Sequence, residues 1–516
     1  LDANTTASNN TALGQGSLGA NTTGAENTAV GKGSLDSNTT GIQNVAMGMN
    51  ALQSNTTGGH NTSIGRESLY NNTTASYNTA VGDNALSANT TGVENTATGF
   101  ESMKTNTTGA GNAAFGRKSL HFNTTGANNT AIGKQALYTS TTASNNTALG
   151  VSALYLTTTG FDNTAVGYLA LGANTTGNYN TAIGKNTMGA NTTGGENTAV
   201  GREALDANTT GGNNVALGNN ALSANTTAAN NTGVGYRALY VNTTGTENTS
   251  FGTKSLYSNI AGAYNVAIGG HALYTNTADY NTAIGRTSLY NTTTGASNTA
   301  VGYESMLYNT TGGDNTAVGR SVLIANTTGG SNTAMGESAG LGITTGSNNL
   351  LLGKDAGRTG SPGGNLTTQS NQINLGNGSI SEANIQVDWT VASDARDKTD
   401  FTALDLGLDF VKALAPVTYK WDKRSKYGDK SAEDYDLNAQ TPDGTHKEDW
   451  LDIGFKAQEV EALEIAAGYD KDNKTNLVSS YTNDGKQMGL QYSKFVPILV
   501  KAIQELSTKN DALVAR

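Results

Sequence analysis

A 17-residue block repeats along most of this chain, and any fold must accommodate it. Blocks read NTAVGKGSLDSNTTGIQ, NVAMGMNALQSNTTGGH and NTSIGRESLYNNTTASY. They begin at Asn10, Asn27 and Asn44 and recur every 17 residues to Asn265. One 16-residue block follows, the spacing resumes at Asn281, and a degenerate block opens at Asn349. Fixed spacing of this kind is the signature of stacked structural repeats. A single block is too short to bury its apolar face, whereas stacked blocks share a continuous core.

The positions within a block suggest strands. Position 4 is apolar in nearly every copy (Val30, Met47, Ile64, Val81) and position 9 is Leu or Met until Gly340, while positions 3 and 8 are mostly Ala or Ser. Two large and two small inward residues per block cannot fill a helix stripe, and the β-branched content favours β-structure. Position 5 is always glycine (Gly14, Gly31, Gly48, Gly65 and Gly82 in the first copies), which predicts a corner needing positive φ or a close backbone approach. N-T-T-G at positions 12–15 reads as a second turn. The Asn at position 1 is expected to stack as an amide ladder. Coils spaced by about 4.8 Å give twenty blocks a length of roughly 95 Å. One chain's core would be thin, so three chains packed side by side are expected.

Composition sharpens this reading. Only 36% of residues are apolar and 65 are Gly, a balance that suggests disorder until the repetition is considered. Residues 393–516 hold 22 acidic and 17 basic side chains, against 19 and 14 in residues 1–392, so two folding regimes share the chain. The net charge of −10, without a basic stripe, argues against nucleic-acid binding. No apolar run is long enough to insert in a membrane. There is no Cys, and His60, His121 and His271 fall at scattered block positions, so neither metal nor cofactor is expected. The opening LDANTTASN matches the second half of a block, which suggests a fragment or processed form.

The expected architecture is therefore mainly β: a trimeric parallel β-solenoid over residues 1–348, a degenerate shaft end over 349–392, and a small α+β domain over 393–516. In that domain LDLGLDFVKAL reads as a helix stopped by Pro416, VTYKW as a strand, and IGFKAQEVEAL as strand into helix. The last segment places Val496, Leu499, Ile503, Leu506, Asn510 and Leu513 at spacings of 3, 4, 3, 4 and 3. That is a short coiled-coil seam with one buried Asn; the alternative is a helix packed on its own domain.

Two resemblances follow from these motifs. The N-T-A-(V/I)-G-x-x-(A/S)-L repeats resemble the head repeats of trimeric autotransporter adhesins and the shafts of phage tail-fibre-like proteins. The C-terminal domain resembles the self-cleaving intramolecular chaperone of endosialidases and other tail spikes. The likeness rests on S-D-x-R-x-K at Ser393–Lys398, G-F-x-A-Q-E-V-E at Gly454–Glu461, and LVKAIQEL at Leu499–Leu506. It implies that the domain trimerises, templates the preceding β-structure and cuts the Ala392–Ser393 bond. Ser393 would be the nucleophile and Lys398 its base, supported by Asp394, Arg396, Gln458 and Glu459. A serine hydroxyl needs such a base, and burial or a neighbouring cation such as Arg396 would help the lysine serve.

The function expected is a structural and adhesive extracellular fibre, on a virion tail or a bacterial surface, a homotrimer that meets a host glycan or protein receptor. Its chemistry would be a single self-cleavage. Two alternatives are the shaft of a tail-spike enzyme with a glycosidase upstream, and an ice-binding solenoid with Thr ladders at positions 13 and 14.

Overall fold

The computed structural model describes residues 3–380, 382–384, 393–428, 435–482 and 484–515. Its backbone falls into two compact units, Leu1–Asn298 and Thr299–Arg516.

The first unit is a parallel β-solenoid. Each coil contributes one three-residue strand, from β1 (Thr11–Leu13) and β2 (Thr28–Val30) through to β17 (Thr282–Ile284). Neighbouring strands pair in register, Thr11 with Thr28 and Leu13 with Val30 at one end, Val266 with Thr282 at the other. The 16-residue block keeps this register because its missing residue comes from a turn. There Asn276 Nδ2 still reaches the Ala278 carbonyl at 2.8 Å, two residues on instead of three.

The core is smaller than the sequence suggests. Strand side chains alternate, and the structure turns position 3 inward: Ala29, Ala46 and Ala80 are fully buried. Position 4 therefore points outward, which corrects the expectation of two large inward residues. Leu13 is 67% exposed, Met47 42% and Phe115 41%. One large side chain per coil remains inside, the Leu or Met at position 9, flanked by the small residue at position 8. These leucines lie in left-handed backbone, with φ of 51° at Leu18 and Leu35 and 54° at Leu52. Burying a leucine contributes about 1.5–3 kcal/mol, and left-handed backbone costs roughly 1–2 kcal/mol. A lone coil gains almost nothing from that exchange, so the ladders between coils must hold the unit.

Two of those ladders are made of asparagine. At position 1, Asn44 donates its backbone N–H (3.0 Å) and Nδ2 (3.1 Å) to Asn27 Oδ1, and Nδ2 also to the Gly58 carbonyl at 2.9 Å. At position 12, Asn38 Nδ2 donates to Asn21 Oδ1 at 2.8 Å and to the Gly41 carbonyl at 3.0 Å. All these asparagines are buried. The position-13 hydroxyls add a third ladder, with Thr22 Oγ1 donating to the Thr39 carbonyl at 3.0 Å. Buried amides left unpaired would each cost about 1–3 kcal/mol, so stacking in register is enforced.

The corner glycines Gly14, Gly31, Gly48, Gly65 and Gly82 have φ between 132° and 138°. A Cβ at Gly14 would lie 2.5 Å from the Gly31 carbonyl oxygen, so conformation and space both demand glycine.

The second unit contains five more parallel strands, β18 (Thr299–Val301) to β22 (Ile373–Leu375). The last pair joins Leu350 to Ile373 across 23 residues, a longer coil than the rest. The C-terminal residues of this unit form two small antiparallel sheets, β23 (Val417–Tyr419) with β24 (Asp452–Gly454) and β25 (Ser479–Tyr481) with β26 (Met488–Leu490). Three helices accompany them: α1 (Leu408–Ala413), α2 (Ala457–Ala466) and α3 (Phe495–Val514), the last preceded by a 3₁₀ turn at Tyr492–Lys494. Leu406, Phe410, Val460, Val478, Phe495 and Ile498 form an ordinary apolar core. The start of α1 is capped from α3, where Glu505 Oε2 accepts the Leu408 N–H at 2.8 Å. Helix α3 has a second apolar face. Val496, Leu499, Ile503, Leu506 and Leu513 are 43–69% exposed, and Asn510 lies with them in solvent.

Candidate functional site

Ser393 and Lys398 meet across one short turn. Asp394 caps a 3₁₀ turn at Ala395–Asp397, its Oδ1 accepting the Arg396 N–H at 2.9 Å. The turn folds the chain back, and Lys398 Nζ donates to Ser393 Oγ at 2.6 Å. Both side chains are exposed in the single chain. Ala392 lies outside the described residues.

The remaining predicted residues divide into two groups. Arg396 turns to Asp394, its Nε reaching the carboxylate at 3.1 Å, and this guanidinium holds the Asp394 carboxyl below the usual carboxylate range. Its charge is thus matched at Asp394 and not directed at the lysine. No carboxylate lies within ion-pair distance of Lys398 among the described residues, although Asp397 precedes it. Gln458 and Glu459 sit exposed on the first turn of α2, where Glu459 pairs with Lys456 at 2.8 Å. No hydrogen bond joins either to Ser393 or Lys398 among the described residues.

A residue that sequence reasoning passed over organises this domain. Glu464 is fully buried, and its carboxylate accepts three successive backbone N–H groups, from Leu477 (2.8 Å), Val478 (2.5 Å) and Ser479 (2.9 Å). It thereby fastens the chain entering β25 to α2. The signal was its spacing from Val460, four residues away on the buried face of the helix.

The arrangement can do serine chemistry. A neutral amine 2.6 Å from a hydroxyl can take its proton as the oxygen attacks. The histidines are placed by packing. His60 stacks on Tyr77, with ring centroids 4.9 Å apart, and His121, which is buried, stacks on Tyr138 at 5.4 Å.

Residues 393–469 match a family model described as chaperone of endosialidase, and the match begins at Ser393 itself. No curated protein matches the chain. The chain thus joins a parallel β-solenoid to a C-terminal segment similar to the chaperone of endosialidase.

Proposed function

We propose that this chain is the precursor of a trimeric extracellular fibre, whose C-terminal domain nucleates assembly and then cuts the Ala392–Ser393 bond. The observation that carries the reading is the 2.6 Å Ser393–Lys398 contact at the first residue of the matched segment. In the proposed reaction Ser393 Oγ attacks the Ala392 carbonyl carbon while the Lys398 amine takes the hydroxyl proton. The peptide C–N bond breaks, the proton passes to the departing Ser393 nitrogen, and an ester joins Ala392 to Ser393 Oγ. Water hydrolyses that ester, freeing the Ala392 carboxylate and restoring the hydroxyl. The domain therefore acts once.

Two exposed apolar surfaces support the trimer. The position-4 residues form a column along the coils, and the outer face of α3 carries a heptad seam. Uncovered apolar rows of this length are unusual on a monomer, and two further copies would cover both. On this reading the mature fibre acts by adhesion, on a virion tail or a bacterial surface, and its receptor is a glycan or protein of a host cell.

The experiment is expression of the full chain followed by mass spectrometry and N-terminal sequencing. The expected products are a shaft ending at Ala392 and a fragment beginning Ser-Asp-Ala-Arg. A chain that assembles into trimers yet stays whole refutes the cleavage; a monomer by light scattering at micromolar concentration refutes the trimer.

A further inference from the structure

Position 10 of the coils carries a column of stacked rings. Tyr138 and Tyr155 lie 5.2 Å apart and 3° from parallel, and Tyr240, Tyr257, Tyr274 and Tyr290 continue the pattern further along the first unit. Between these runs the column breaks. Gly172 and Gly189 occupy the next two positions and Asp206 the third, leaving a notch of about 620 Å³ in the side of the solenoid.

Three features set the notch apart from a simple gap. One face of Tyr155 is covered by Tyr138, while its other face looks across Gly172 into the notch. Leu169, also in the lining, occupies position 7 with φ of 53°. Elsewhere in the first unit that position holds Gly, Asn, Glu, Lys, Gln, Ser, Arg, His or Thr. An apolar residue here is therefore a local exception at its position. Opposite Tyr155, Asp206 reaches back over Gly189, where a Cβ would meet its Oδ1 at 2.8 Å. Burial and the nearby Glu203 carboxylate push the Asp206 carboxyl up, against the Gly189 N–H. Asn186 completes the lining, and its Oδ1 has no hydrogen-bond partner among the described residues.

We infer that this notch binds a neutral pyranose ring of a glycan, stacked on Tyr155 and donating hydroxyl groups to Asp206. A pyranose has a face of C–H groups and a rim of hydroxyls. The C–H face meets the electron-rich face of the phenol, Leu169 extends the apolar contact, and a carboxylate is a strong acceptor for the hydroxyls. The volume falls within the range of small-ligand sites and suits one or two sugar rings. An anionic sugar or a nucleic acid would be repelled by Asp206 and by the chain's net charge of −10. This deepens the adhesive part of the proposed function. The uncut single chain already carries the notch, so its failure and the failure of trimerisation or cleavage are separable.

The test uses the full chain and the methyl glycosides of glucose, galactose, mannose and N-acetylglucosamine, screened by saturation-transfer NMR and titrated by calorimetry. At least one should bind with a Kd on the order of 1 mM, weak as expected for a single ring. Gly172→Tyr should refill the column. Gly172 is not left-handed, and its Cβ would press only on Leu169, at 3.2–3.3 Å. Asp206→Asn removes the charged acceptor while keeping the shape. Each variant should weaken binding by about tenfold or more, and Tyr257→Ser, in the distant run of rings, should leave it unchanged. Melting temperature identifies the folded variants, and Asp206→Asn decides alone if Gly172→Tyr does not fold. Absence of binding to all four glycosides overturns the inference, as does unchanged affinity in either folded variant.

Discussion

The first unit and the C-terminal domain solve the same stability problem by opposite means. The domain buries a conventional cluster of Leu, Phe, Val and Ile side chains and pins one buried carboxylate, Glu464, to three amides. The solenoid buries one leucine and a pair of small residues per coil and relies on columns of asparagine amides. The domain's contacts are distinct from one another, so its register is unique. The coils are nearly interchangeable, so a coil can pair with the wrong neighbour at little energetic loss. On the proposed function, this contrast is the reason a repetitive shaft would carry an attached, uniquely folding domain.

The comparison breaks most directly if the shaft folds alone. Deleting residues 393–516 before expression should send the product into aggregates, whereas the shaft released by natural cleavage, of the same sequence, should stay soluble and resist unfolding. Soluble, equally stable protein from the truncated gene would remove the chaperone role.

Next in size is a change confined to chemistry. Ser393→Ala and Lys398→Ala should each abolish cleavage and leave a single chain of 52.9 kDa on denaturing gels, with an unchanged melting temperature. Both residues are exposed and outside the domain core, so a folding defect in either variant would contradict the separation of the two roles.

Within the shaft, Gly184→Val should cost several kcal/mol. Gly184 has φ of 137°, and a Cβ there would lie 2.6 Å from the Gly201 carbonyl oxygen. The backbone strain alone is on the order of 1–3 kcal/mol. Replacing exposed Tyr179 with Ser should change stability by about 0.5 kcal/mol or less. Thermal unfolding of the two variants side by side tests whether the corner or the surface matters.

The smallest effect concerns acid and belongs to the domain. The Leu408 N–H holds the Glu505 carboxyl below its ordinary value of 4.5. A depressed folded pKa means the contact is fully present above that value and is lost as pH falls through the lower, folded one. Stability of the domain should therefore decline below about pH 4.5, and Glu505→Gln should flatten that part of the pH profile. An identical acid limb in the variant would assign the loss to other carboxylates.

Much of this was legible in the sequence. The period located the coils as far as Asn349, and short apolar patterns located α1, α2, α3, β23 and β24, while β25, β26 and the last, longer coil went unread. Which way the strand faces was not legible, because strict alternation is compatible with either face inward. The larger residue at position 4 suggested the wrong choice, and the narrow coil of the first unit admits only Ala, Ser or Gly at position 3. The second amide ladder was hidden because N-T-T-G reads equally well as a turn. The notch was invisible for a different reason. Gly172, Gly189 and Leu169 look like ordinary drift among repeats until the coils are stacked and the gaps fall side by side. At the candidate site Ser393 and Lys398 were legible through the resemblance that S-D-x-R-x-K carries, but the pairing of Arg396 with Asp394 needed the turn to be built.

The position-1 amides carry one more consequence. Each asparagine points its donors at the oxygen of the preceding coil, Asn44 at Asn27 and Asn61 at Asn44. The small dipoles all lie the same way, so the column has a direction, and its two ends are chemically unlike. At position 1 a coil already in place turns amide N–H groups toward the side chain on its N-terminal side, and that side chain must supply the oxygen. On the proposed function, a shaft growing away from its C-terminal domain would test each newcomer for an acceptor at this one position, and a position-1 column closed at the wrong end would find donors facing donors.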